Sequence, residues 1–154
     1  MNTNLYLPGD ELIDQALAEF MGYFWCRYLG GVVAGERIVR FLMSAEQFES
    51  AKTKFGPGSL APAKGDEQIE QLAFKAVPAY HNDRNAVAVV EDKLFHLGMW
   101  QIYLGQLRHV LGISSGGTTP EQNWALITAS GNARAKAAFL VIDAQKPKQQ
   151  ILFG

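Results

Sequence analysis

A proline-led turn feeding an amphipathic segment constrains this chain more than any other feature. Val77-Pro78-Ala79-Tyr80-His81-Asn82-Asp83 runs into Arg84–Leu97 and stops at Gly98. Pro78 fixes its own φ and drives Val77 out of the helical region, so the chain arrives extended. Asn82 or Asp83 can then accept the free N–H groups of a helix start. Val87, Val90, Leu94 and Leu97 follow at spacings of 3, 4 and 3, which puts all four on one helical face. Gly98 supplies the left-handed residue that commonly ends a helix.

Length and charge bound what surrounds this element. A chain of 154 residues is read as one domain, and a domain of that size buries roughly 68–70% of its unfolded surface, enough for a core without staples. A hydrophobic fraction of 48% with 19% charged residues is that of a soluble globule. The net charge of −1 gives no global field to recruit nucleic acid or an anionic membrane. Cys26 is the single cysteine, which excludes an intrachain disulfide and any two-cysteine metal site. No secretory leader is expected, and no run approaches the about 18 apolar residues that span a bilayer, so a cytoplasmic location is the expectation.

Other elements are readable locally. Residues 10–21 predict a helix, with Asp10 as cap, Leu12, Ile13, Ala16, Leu17, Phe20 and Met21 on its apolar face, and Gly22 closing it. Tyr23–Leu29 and Arg37–Met43 predict a hairpin. Ser44 with Gln47 has capping-box spacing for a helix carrying Phe48, Ala51 and Phe55. The Gly- and Pro-punctuated stretch 56–65 is read as a loop, and 66–75 as a turn or two of helix. Residues 99–111 fit a strand or a helix; Gly98, Gly105 and the intervening aromatics favour a strand. Thr119-Pro120-Glu121-Gln122 looks like a helix start, whereas Trp124–Ala129 reads as a strand. Asn132 can cap a last helix with Ala133, Ala137, Leu140 and Val141 on its face.

Together these pieces resemble the phage ABA sandwich family of bacteriophage and prophage proteins. The matching residues are Phe20-Met21-Gly22 at the end of the first helix, the Val77–Asp83 turn, the Arg84–Leu97 helix with Gly98, and Thr128-Ala129-Ser130 leading into Ala133-Arg134-Ala135-Lys136-Ala137-Ala138-Phe139-Leu140. The resemblance covers about half the chain, mostly residues 10–22 and 78–142, and makes 23–77 an inserted hairpin and loop region. It implies an α+β fold in which a small antiparallel sheet is flanked by helices, and it turns 99–111 and 120–130 toward strand. No established activity comes with it, so it carries across no catalytic residue.

Candidate chemistry is sparse. Tyr80, His81 and Asp83 bring a phenol, an imidazole and a carboxylate to a helix N-terminus, where an anion is favoured; the competing reading is that Tyr80 packs, Asp83 caps and His81 is solvated. His81, His96 and His109 lie 15 and 13 apart, which matches no helical metal pair, and no metal or cofactor is expected. Glu91, Asp92 and His96 are read as surface residues. Cys26, in an aromatic strand-like run, is read as a buried inert thiol. Residues 112–119 offer small donors but lack the lysine of a P-loop. Tyr23, Phe24, Trp25, Arg27 and Tyr28 mix aromatics with a base, as single-strand nucleic-acid platforms do, without the surrounding positive charge. Trp100 and Trp124 are assigned to the core.

The reading that follows is a non-catalytic interaction or binding module in a phage or prophage setting, in which the aromatic-rich 23–43 hairpin supplies the surface for a protein partner or a second copy of the chain, with no nucleic acid and no membrane. The alternative is a small-molecule-binding protein or enzyme with a site near Tyr80, His81 and Asp83.

Overall fold

The computed structural model describes residues 9–28, 38–56, 58, 60–62, 69–71, 77–113 and 119–146. Two compact units divide the chain, Met1–Ala79 and Tyr80–Gly154. The division falls two residues beyond the expected insertion 23–77. The fold is α+β, and the sheet lies in the first unit.

In that unit α1 (Asp10–Phe20) begins after Gly9 rather than being capped by Asp10, and it buries Ile13, Asp14, Ala16, Leu17 and Ala18. Leu12 stands half exposed, so the apolar face is narrower than the residue types suggest. Strands β1 (Phe24–Tyr28) and β2 (Ile38–Met43) form the expected antiparallel hairpin, Cys26 opposite Phe41; the turn between them lies outside the described residues. Two further strands come from stretches expected to be loop or helix. β3 (Leu60–Pro62) pairs antiparallel with β1, and β4 (Ile69–Gln71) pairs parallel with β2, giving the order β3-β1-β2-β4. Each is only three residues long, too short for a period to show. Helix α2 (Ala45–Phe55) starts on the predicted capping box: Gln47 N–H donates to Ser44 Oγ at 3.1 Å and Ser44 N–H to Gln47 Oε1 at 3.0 Å. The ring of Phe48 meets Phe24 edge-on at 5.3 Å.

Cys26 is fully buried on β1, and burial pushes its thiol up to about 11 from the ordinary 9.0. The folded state therefore holds this proton more tightly than the unfolded chain does. Its contribution to stability is complete below about pH 9 and is lost as the pH climbs toward about 11. Two results are expected. Iodoacetamide should leave the folded protein unmodified at pH 8 while alkylating the urea-unfolded chain, and urea titrations between pH 9 and 11 should show a fall in stability that Cys26→Val reduces. Rapid labelling of the folded protein at pH 8 would contradict the burial.

The second unit is helical throughout its described residues. Helix α3 (Arg84–His96) is capped by Asp83, whose Oδ1 accepts from Asn85 N–H at 2.9 Å and Ala86 N–H at 3.2 Å. Val87, Val90 and Leu94 are wholly buried; Leu97, assigned to the same stripe, is 55% exposed, because it is already the C-cap where the chain turns away. Gly98, with φ of +75°, makes the turn: its N–H donates to Phe95 C=O and Met99 N–H to Leu94 C=O.

The stretch after this turn is helix α4 (Trp100–Val110), not a strand. Tyr103 and Leu107 are buried at helical spacing while Ile102 is half exposed, so the 3.6-residue period governed and the alternating one did not. Gly105 is exposed within the helix and terminates nothing. Helix α5 (Pro120–Ile127) replaces the second expected strand. The capping box of Thr119 and Gln122 starts it as the sequence indicated, and it continues through Trp124.

Helix α6 (Gly131–Gln145) is capped by Ser130, whose Oγ accepts from Ala133 N–H at 3.1 Å; Asn132, the expected cap, is already helical. Ala133, Ala135, Ala137, Ala138, Val141 and Ile142 are buried where α6 packs against α3 and α4. Small side chains let the helices approach closely. At Gly131 the approach leaves little room for a side chain: a Cβ would stand 3.2 Å from Arg84 N at the start of α3.

Candidate functional site

The close contact of α6 with α3 brings together residues far apart in sequence. Glu91 on α3, Tyr103 on α4 and Arg134 on α6 meet within the helical unit. Arg134 Nη1 donates to Glu91 Oε2 at 2.8 Å, and the Tyr103 hydroxyl donates to the same oxygen at 2.5 Å. Both charged side chains are only 12% exposed. Burial, and then the hydrogen bond to Glu91 and its negative charge, hold the Tyr103 phenol far above its usual pKa, so it stays protonated.

Arg134 also serves a second element. Its Nε donates to Ala129 C=O at 2.9 Å, and its Nη2 to Leu126 C=O at 3.0 Å and Ile127 C=O at 2.9 Å. Arg84 Nη2 adds a bond to Ile127 C=O at 3.1 Å. Helix α5 has no basic residue in its last turn. Its C-terminal carbonyls and the negative end of its dipole are met instead by guanidiniums from α3 and α6. Four bonds from one guanidinium thus tie α6, α3 and the end of α5 together, with α4 joined through Tyr103.

Two clefts adjoin this cluster and share Trp100 and Arg134. One, of about 330 Å³, is lined by Ala88, Glu91, Asp92, Phe95, Trp100 and Arg134. The other, of about 370 Å³, has Trp100, Leu104, Leu126 and Ile127 as apolar walls, with Arg84 and Arg134 as polar groups. Trp100 stacks on Tyr103 at 5.1 Å and meets Phe95 edge-on at 5.9 Å. Phe95, Trp124 and Ile127 are 59%, 66% and 61% exposed. The core assignment of Trp124 is therefore corrected, and Trp100 is half-buried at the clefts.

The sequence-derived site residues fall elsewhere. Tyr80 is buried, His81 half-buried, and Asp83 gives its carboxylate to the α3 cap. None of the three lines either cleft. Asp92 and His96, read as unpaired surface residues, are one helical turn apart: His96 Nδ1 lies 2.8 Å from Asp92 C=O and 3.6 Å from Asp92 Oδ1. Among the described residues no three His, Cys, Asp or Glu side chains cluster as metal ligands, and no helix is long and apolar enough to cross a membrane.

Glu91 was misread as a surface residue, and the roles of Arg134 and Tyr103 were not seen at all. A signal existed. Glu91 lies four residues after Val87 and three before Leu94, and Arg134 lies three and four before Ala137 and Ala138. Each is a charge within an apolar stripe, where an opposite partner is required. No protein-family model, no curated protein and no solved structure matches the chain.

Proposed function

We propose that the chain is a non-catalytic accessory protein of the phage or prophage type, acting in the cytoplasm as an interaction module whose helical unit carries the recognition face. The observation that supports this is the exposure of Phe95, Trp124 and Ile127 on the helical unit, Phe95 and Ile127 each lining one of the two clefts that share the half-buried Trp100. Large apolar side chains left exposed, some of them at the rim of clefts, are the usual marks of a contact surface. The state of the titratable groups agrees. Tyr103 and Cys26 are both held protonated at neutral pH, so neither offers a phenolate or thiolate as nucleophile. The alternative, a small-molecule or enzyme site near Tyr80, His81 and Asp83, has less support, because the Asp83 carboxylate is already engaged by two backbone N–H groups.

The test is paired. Sedimentation over a wide concentration range and affinity capture from a host extract are compared for the wild type and Phe95→Asp/Trp124→Asp. The expected result is a self-associated species or a captured protein that the double variant, equally folded by circular dichroism, does not form. A wild-type chain that is monomeric throughout and captures nothing, or a double variant that behaves identically, defeats the reading.

A further inference from the structure

We infer that the cleft between the start of α3, α4 and the end of α5 is a binding site for a small monocarboxylate with an apolar body. This goes beyond the interaction reading and does not depend on it. The walls are supplied by Trp100, Leu104, Leu126 and Ile127, and the volume of about 370 Å³ lies near the lower end of the ~300–1,000 Å³ typical of small-ligand pockets. Apolar walls alone select nothing; the charge does.

Arg134 faces the cleft but is neutralised by Glu91, and three of its remaining N–H groups are given to carbonyls. Arg84 differs. It is an exposed residue at the mouth, and among the described residues no carboxylate pairs with it. Its guanidinium is nevertheless oriented, because Nη2 is anchored on Ile127 C=O at 3.1 Å. A planar fork held in place with donors to spare, above an apolar cleft, suits a carboxylate head followed by a short aliphatic or aromatic tail. Of the two guanidiniums lining the cleft only that of Arg84 has no carboxylate partner among the described residues, so a neutral alcohol of the same length loses the charge-assisted head-group bonds and an alkylammonium meets a like charge.

The experiment uses the full chain and three probes of one tail length: octanoate, octan-1-ol and octylammonium. Binding is followed by the ¹⁵N–¹H shifts of the Trp100 indole and the Arg84 side chain. Octanoate should saturate, moving both signals, and should bind at least about tenfold more tightly than octan-1-ol, with octylammonium weaker still. Arg84→Gln should remove that preference for octanoate over the alcohol. Because Arg84 also holds Ile127, a second variant, Ile127→Glu, keeps the arginine and its backbone anchor, sets a carboxylate beside the guanidinium, and should abolish octanoate binding by competing for it. Absence of saturable shifts with octanoate overturns the inference. So do equal affinities for the three probes, shifts confined to residues outside the cleft, or an unchanged preference in both variants. Phe95 and Trp124, which test the interaction face, do not line this cleft, so either idea can fail without the other.

Discussion

Arg134→Met is expected to destabilise the helical unit by about 3–5 kcal/mol, the usual cost of stripping one partner from a buried ion pair. The substitution strands Glu91, whose side chain is 12% exposed and then keeps only the Tyr103 hydroxyl as donor. It also leaves the carbonyls of Leu126 and Ala129 without this donor. With domains stable by only about 5–15 kcal/mol, a loss of this size is a large fraction of the whole. Glu91→Gln should be milder in isolation, since a neutral amide can still accept from Tyr103, and Tyr103→Phe should cost about 1.5–3 kcal/mol, as for a hydrogen bond to a charged group. The informative measurement is the double variant Glu91→Leu/Arg134→Met, compared in urea titrations at pH 7. Removing both charges should cost clearly less than the sum of the two single losses, because neither variant charge is left alone. A loss below about 1 kcal/mol for Arg134→Met would show that the pair is solvated and that the cluster does not hold the helices together.

Leu94→Ala should be comparably damaging, about 2–5 kcal/mol, whereas Leu97→Ala three residues later should lie within about 0.5 kcal/mol of wild type. The two leucines share a helical face in the sequence and differ in environment. Leu94 is completely buried among the packed helices; Leu97 sits on the turn into α4 and is 55% exposed. Truncating the first leaves a cavity that neighbouring elements can only partly close, while truncating the second removes contacts with water. Midpoints of chemical denaturation for the two variants provide the check. Similar losses at both positions would mean that the turn at Gly98 packs against something beyond its own unit.

What the sequence reveals and conceals in this chain follows from the range of each interaction. Signals settled within four residues were legible. The capping box at Ser44 and Gln47, the cap at Asp83, the helix start at Thr119 and the Gly98 turn all depend on neighbours, and all are in the structure. The β1–β2 hairpin was legible from its two β-favouring runs, and with the helices read beside it the α+β class followed, although the strands expected at 99–111 and 120–130 are helices. Element type failed where two periods competed. Between 99 and 111, aromatics and bracketing glycines argued for a strand, but burial of Tyr103 and Leu107 at a spacing of four made a helix. Around Trp124 the error had another source. A large indole was assigned to a core, and α5 buries none of its side chains. The Glu91–Tyr103–Arg134 cluster was concealed because its members lie 12 and 43 residues apart, and only the packing of α6 on α3 and α4 makes them neighbours.

That α5 buries no side chain completely has a consequence for how the helical unit breathes. With only half-buried apolar side chains such as Ala125 and Leu126, this helix gains less from the core than its neighbours do, and its eight residues are too few to persist in water alone. Its polar attachment to α3 and α6 is at its last turn, on two guanidiniums. Detachment of this segment is therefore the expected sub-global opening, cheaper than unfolding the unit, in which α3, α4 and α6 keep their packing while the amides of 120–127 exchange with solvent. Any molecule that bridges Arg84 to the end of this helix would slow the opening, so occupancy and local order would rise together.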